Sequence, residues 1–315
     1  MSQKLEFEAN VNTLEARIRE LHLTASDGDI DVAEEIEKLS VKVDAGLKSV
    51  YQKLTPWQKV EVSRHEARPH AQDYIDHLIT DYQPLAGDRA FAEDCAIVGG
   101  MGYFRDTPCM VIGHEKGRDT RGRIKHNFGM PRPEGFRKAR RLIDLAGKFN
   151  LPVISFIDTA GAYPGLDAEA RGQAEAIARS IQACIRVKSP FVSVITGEGG
   201  SGGAMAIAAA DRLLMLEHAI YSVISPEGCA SILWRDASNR EVAAKSLQVT
   251  AQSLEELKIA DEVIPEPIGA AHRDHPTTFA RVGDAIEKHL NDLASLSSED
   301  LIASRWQRYL KLNAA

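Results

Sequence analysis

Two segments of the chain are near-continuous apolar runs, and each ends in a glycine-bearing turn: "LPVISFIDTAGAYPG" (151–165) and "SPFVSVITGEGGSGGAMA" (189–206). A strand with one wet face alternates polar and apolar residues. A strand covered on both faces does not, and such strands belong to parallel sheets beneath helices. Helical patterns flank these runs, "GFRKARRLIDLAGKF" (135–149) and "AEARGQAEAIARSIQACIRV" (168–187). "CAIVGGMGYF" (95–104) and "TPCMVIGHE" (107–115) read as paired strands. "IYSVISPEGCASILW" (220–234) reads as a short strand and turn, and helices follow at 241–258 and 281–311. Strand–helix alternation of this kind predicts an α/β domain.

The first 80 or so residues have a different texture. Leu14, Ile18 and Leu21 share one helical stripe, and Ile36, Leu39, Val43, Leu47 and Val50 share another. Thr55 and Pro56 mark a further helix start, as N-cap and first helical residue. These stripes cannot enclose a core alone and need a partner, either the main domain or another chain. The division predicted is a helical extension over 1–83, a core over 84–270 and a helical C-terminal segment over 271–315.

With 44% hydrophobic residues, the 315-residue chain has enough apolar matter for a sizeable core. A net charge of −7 argues against a general nucleic-acid binder. Yet residues 114–141 carry ten Lys and Arg against three Asp and Glu. Lys125, Arg132 and Arg137 in that stretch are candidate anion-binding residues; a solvated basic face is the alternative. Cys95, Cys109, Cys184 and Cys229 have neither C-x-x-C nor zinc-site spacing, so they read as reduced thiols, mostly buried, with no metal site expected. The charged N-terminus lacks a signal-peptide core, and no run of 18 uncharged apolar residues occurs, which points to a cytoplasmic protein.

Residues 197–203, "GEGGSGG", hold five glycines at a strand-to-helix junction. Each glycine in an element interior costs about 0.5–1 kcal/mol relative to alanine. Helix N-terminal N–H groups have no intrahelical partner and sit at the positive end of the dipole. Without a Cβ, an atom can come close to them. The cluster therefore suits an anionic oxygen, either a bound phosphate or an oxyanion formed during a reaction. No Lys-Ser or Lys-Thr follows the glycines, so they are not a P-loop. Gly199-Gly200-Ser201-Gly202-Gly203 also matches G-x-S-x-G, which would make Ser201 a hydrolase nucleophile with His218, His272 or His275 as base. A third reading is an oxyanion hole with no protein nucleophile, and a fourth is tight helix–sheet packing alone.

"GEGGSGGAMAIA", "SVISPEGCASILW", "NFGMPRPEGFRKA", "FIDTAGAYPG" and "VIPEP" (263–267) resemble the α subunits of bacterial acetyl-CoA carboxylase carboxyltransferase, and the resemblance runs along nearly the whole chain. It implies a crotonase-like (ClpP/crotonase) spiral of ββα units with an N-terminal helical extension, the family's carboxyltransferase domain covering about 40–293. It implies transfer of carboxylate from N1-carboxybiotin, borne on a separate biotin carboxyl carrier protein, to acetyl-CoA. The product is malonyl-CoA, for fatty-acid synthesis. The implied assembly is α2β2, with zinc on the β subunit only and biotin carboxylase in the larger complex. By the same resemblance, Gly202 and Gly203 are N–H donors to the biotin ureido oxygen. Gly161, Ala162, Tyr163, Gly199, Gly200, Ser201, Pro226, Glu227 and Gly228 then line the substrate pocket, with Ser201 a wall residue. The chain departs from the family at Ala160, where Pro is usual; the change restores an N–H and loosens the turn.

Overall fold

The computed structural model describes residues 5–27 and 32–312. The predicted stripes form an antiparallel hairpin, α1 (Ala9–Asp27) and α2 (Ala33–Tyr51). Val11, Val43, Leu47 and Tyr51 bury between them, with Leu14, Ile18 and Val50 packed alongside. The same cluster takes in Val62 and Ala270, so the main domain is a partner of the hairpin. Helix α3 (Pro56–Ser63) starts where the sequence places it, with a capping box between Thr55 and Gln58.

The predicted boundary at 83/84 falls inside the core. Helix α4 (Ala71–Leu78) and strand β1 (Ile79–Pro84) contribute Tyr74, Ile75 and Ile79 to the main apolar cluster. Asp81, at φ 51°, lies at a register shift in β1, which breaks the alternation that would have marked a strand. The predicted pair follows as β2 (Ile97–Phe104) and β3 (Thr107–His114), antiparallel. The basic stretch then forms α5 (Thr120–Lys125) and α6 (Pro133–Phe149). The two apolar runs are β4 (Val153–Thr159) and β5 (Phe191–Gly200), buried at every position. Between them lie α7 (Leu166–Ala170) and α8 (Gln173–Arg186). Next come α9 (Ser201–Ala208), β6 (Arg212–Leu216) and β7 (Ile220–Ser222).

Beyond the short strand, "PEGCASILW" is not a turn but helix α10 (Pro226–Trp234), capped by Ser225 with Pro226 in its first turn. The helix expected over 241–258 is broken into α11 (Arg240–Ser246) and α12 (Ala251–Glu256), with Gln248 at φ 50° between them. Strand β8 (Glu262–Ile264) precedes α13 (His275–Ala294), which opens at an Asp274 cap, and α14 (Ser298–Lys311). Arg305 of α14 is fully buried, donating to Asp211 and to the carbonyls of Val187 and Ser189.

The strands form one mixed sheet in the order β1-β2-β3-β4-β5-β6-β8, antiparallel from β1 to β3 and parallel from β3 onward. Gly99 and Ile112 are cross-strand partners, so Gly113, the residue after Ile112, faces the other way. A Cβ on Gly99 would strike Leu142 of α6, and one on Gly113 would strike Ala71 of α4. Helices thus cover both faces, as the continuous apolar strands require. The first half of β5 pairs with β6 and its last three residues pair with β7. That fork opens the sheet where the glycine cluster begins.

Candidate functional site

The two glycine turns meet. β4 ends at Thr159, whose hydroxyl accepts a hydrogen bond from Gly161 N (3.0 Å). Gly161 has φ 144°, a conformation that L side chains rarely adopt. β5 runs into α9 without a loop. A Cβ on Gly200 would lie 2.2 Å from the Ala160 carbonyl oxygen. A Cβ on Gly203 would lie 2.6 Å from Gly161 C and 2.7 Å from Ala162 N. Tight packing therefore accounts for those two glycines. Gly199 lies against β7, where a Cβ would touch Tyr221 at 3.0 Å.

Gly202 is different. The nearest atoms to a Cβ there are those of Ile177 at 3.6 Å, ordinary contact, and the residue is half-exposed. No internal packing demands a glycine at this position. Helix α9 also has no side-chain cap, so its first N–H groups have no partner from a capping residue.

Tyr163 extends this turn towards the basic stretch. Its N–H donates to the Pro131 carbonyl (3.0 Å), and its own carbonyl accepts from Gln173 Nε2 (2.9 Å). The Arg132 guanidinium lies over its ring, 4.6 Å from the centroid. Buried Arg132 Nε has no hydrogen-bond acceptor. Arg137, by contrast, is committed to Asp88 (2.7 Å) and Glu134 (3.2 Å). Lys125 lies apart, in a cavity lined by Gln72, Cys95 and Lys138. Pro226, Glu227 and Gly228 form the first turn of α10. Glu227 there accepts from Arg64 (2.6 Å), which also pairs with Glu198 of the glycine segment (2.7 Å).

The Ser201 nucleophile reading is overturned. Ser201 faces an apolar groove shared with Met205, Tyr221, Val223, Leu254 and Leu257, and no histidine lines it. His218 is buried beside Tyr51, His272 stacks on His65, and His275 Nε2 meets the Ala67 carbonyl. The G-x-S-x-G match arose from glycines placed for other reasons.

Sequence reading missed the polar cluster beneath the turns, made by Arg64, His70, Lys116, Asp158 and Glu198. Asp158 is 3% exposed. Burial would raise its pKa, but Lys116 and His70 hold it well below the usual carboxylate range. Asp158 is the single charge in the apolar run 151–159, and that was the available signal. Arg64 carried none, lying more than 130 residues from Glu198. His114, fully buried, is pushed down to about 4 by burial against the opposing pull of Asp158, and is neutral near pH 7.

Solved structures similar in fold include transcarboxylase and carboxylase components and a malonate decarboxylase. The transcarboxylase 12S core matches with a TM-score of 0.58 at 17% identity, over 71% of this chain and 42% of its own. The β subunit of Pseudomonas aeruginosa geranyl-CoA carboxylase matches at 0.55 and 17%, over 75% and 45%. A Pseudomonas malonate decarboxylase hetero-tetramer chain matches at 0.58 and 16%, over 70% and 88%. The fold is thus the crotonase-like α/β fold of carboxyltransferases. Residues 4–313 match the family model described as acetyl co-enzyme A carboxylase carboxyltransferase-like. The acetyl-coenzyme A carboxylase carboxyl transferase subunit alpha of Rhodospirillum centenum is 58% identical over 98% of this chain and 97% of its own length. That of Paramagnetospirillum magneticum is 57% identical over 99% and 98%. The chain belongs to the acetyl-CoA carboxylase carboxyltransferase family and is a transferase subunit.

Proposed function

We propose that this chain is the subunit that presents carboxybiotin for carboxyl transfer to acetyl-CoA. The observation that carries the reading is the uncapped start of α9, where Gly202 has no internal reason to be glycine and Gly161 and Ala162 close the opposite wall. Cleavage of the N–CO2⁻ bond releases CO2 and leaves negative charge on the biotin ureido oxygen. The N–H groups of Gly202 and Gly203 donate to that oxygen. The ureido nitrogen then takes a proton from the acetyl methyl group, and the resulting enolate attacks CO2 to give malonyl-CoA and biotin. One oxyanion donor is worth about 2.7–4 kcal/mol in such a step. No side-chain base is needed, and none of His218, His272 and His275 lines the Ser201 groove.

Arg132 is the residue we assign to the carboxylate of carboxybiotin. Its guanidinium has no carboxylate partner among the described residues, and Tyr163 holds it beside the Gly161 turn. Arg137 cannot serve, being already paired. The biotin arrives on a carrier protein, and a zinc-bearing β chain supplies the second half of the pocket in an α2β2 assembly. The hetero-oligomeric character of the neighbouring malonate decarboxylase supports a divided enzyme. The test is malonyl-CoA-dependent carboxylation of free biotin, by this chain alone and then with its β chain. Activity is expected only in the mixture. An inactive mixture in which the complex has demonstrably formed would refute the proposal.

A further inference from the structure

The hydrogen-bond ladder between β4 and β5 slips directly below the glycine turns. From Val153↔Phe191 to Ile157↔Ile195 the partners differ by 38 residues in number; at Thr159↔Gly199 they differ by 40. Thr196, Gly197 and Glu198 therefore face the single residue Asp158. Their main-chain groups need other partners, because a buried N–H or C=O is seldom left without one. Side chains supply them. Arg68 Nε and Nη2 donate to the Thr196 carbonyl (3.1 and 2.7 Å), and the Glu198 N–H donates to Asp158 Oδ1 (2.9 Å). Lys116 Nζ donates to the same oxygen (2.5 Å), and His70 Nδ1 lies 3.6 Å from Oδ2. Gly197 leaves the room for this arrangement: a Cβ there would lie 2.5 Å from Asp158 Oδ1.

We infer that Asp158 is a positioning residue for the transfer reaction, its carboxylate replacing the lost strand ladder and so fixing the two glycine turns in one frame. It stands one residue before Thr159, which sets the Gly161 turn. Its bond to Glu198 N is one residue before Gly199, which leads to Gly202. A small rotation of β5 about the slip would swing the α9 N–H groups away from the Gly161 wall. Arg64 extends the frame, since it joins the Glu198 side chain to Glu227 at the head of α10.

This inference rests on the glycine turns being the oxyanion site, and its test separates the two ideas. Asp158→Asn keeps the size and the acceptor but loses the charge that Lys116 grips. Asp211→Asn breaks an equally buried ion pair, with Arg305, at the far end of β5 from the turns, where Asp211 also accepts from Phe191 N. Both are assayed in the complete assembly, well below their melting transitions. Asp158→Asn should lower kcat about 10- to 100-fold, the scale of an ångström-sized misplacement, with KM for malonyl-CoA within about twofold. Asp211→Asn should keep kcat within about twofold. Equal losses in the two variants, or an unchanged kcat in Asp158→Asn, would overturn the inference. Should Asp158→Asn not fold, Lys116→Met loosens the same carboxylate and should still lower kcat several-fold; wild-type kcat there would overturn it equally. Amide NMR shifts of Gly161, Gly202 and Gly203 in the chain alone read the frame without any chemistry. They should move in Asp158→Asn and stay fixed in Asp211→Asn. If they move as expected while Gly202→Val keeps full activity, the oxyanion assignment fails and the frame stands.

Discussion

The glycine segments and the basic stretch both pointed to anions, and they fared differently on folding. The two glycine turns come together at one place, where Gly200 and Gly203 meet the backbone of residues 160–162. The cations of 114–141 scatter, and most are met by acids, nearly all from outside the stretch. Arg137 goes to Asp88 and Glu134, Lys138 to Glu93, Lys116 to Asp158, and Arg118 to Asp73. Among the described residues Arg132 has no carboxylate partner, and it lies over the Tyr163 ring beside the Gly161 turn. A glycine's meaning is local, because a close main-chain approach is a property of the turn itself. A charge's meaning depends on which carboxylates the fold brings against it, and a linear sequence does not show that.

The hardest test of this contrast is Gly203→Val. Its Cβ would meet the Gly161 and Ala162 backbone, which cannot yield as a side chain can, so transfer should fall about 10³-fold together with a lower Tm. Gly202→Val should cost about 10²-fold in kcat with Tm unmoved, since its Cβ has space. If its melting drops like that of Gly203→Val, the glycine there is structural. Among the cations, Arg137→Met should lose about 2 kcal/mol of stability in denaturant titration, between the values of exposed and fully buried pairs. Arg132→Met should leave stability alone and cut transfer about 10-fold, the loss of one charge-assisted contact. A reversal of those two outcomes would break the comparison. Ser201→Ala, the mildest change, should retain transfer within about twofold; abolished activity would restore the nucleophile.

Much of the fold was legible because it is written in short-range pattern. Both buried strands, the β2–β3 pair and the hairpin stripes follow from periodicity. The turns at 161 and 199–203 follow from composition. What escaped depended on long-range pairing or on local breaks in pattern. β1 was hidden by a bulge at Asp81, and α10 by a glycine and a proline that serve its first turn rather than end a strand. Asp158 stood out as a charge in an apolar strand, yet its purpose appears only once β5 has slipped by two residues against β4. Ala160 has its carbonyl against Gly200, where a Cβ would lie 2.2 Å from the oxygen.

The start of α9 offers its main chain, not side chains, to whatever binds there. Deletion of side chains therefore cannot remove the groups that matter. An alanine scan through 199–203 would add atoms at every glycine and subtract only one hydroxyl, so each loss of activity would measure an obstruction and none a missing function. In this part of the molecule the informative variants are those that enlarge, and a residue whose truncation is silent can still stand at the centre of the chemistry.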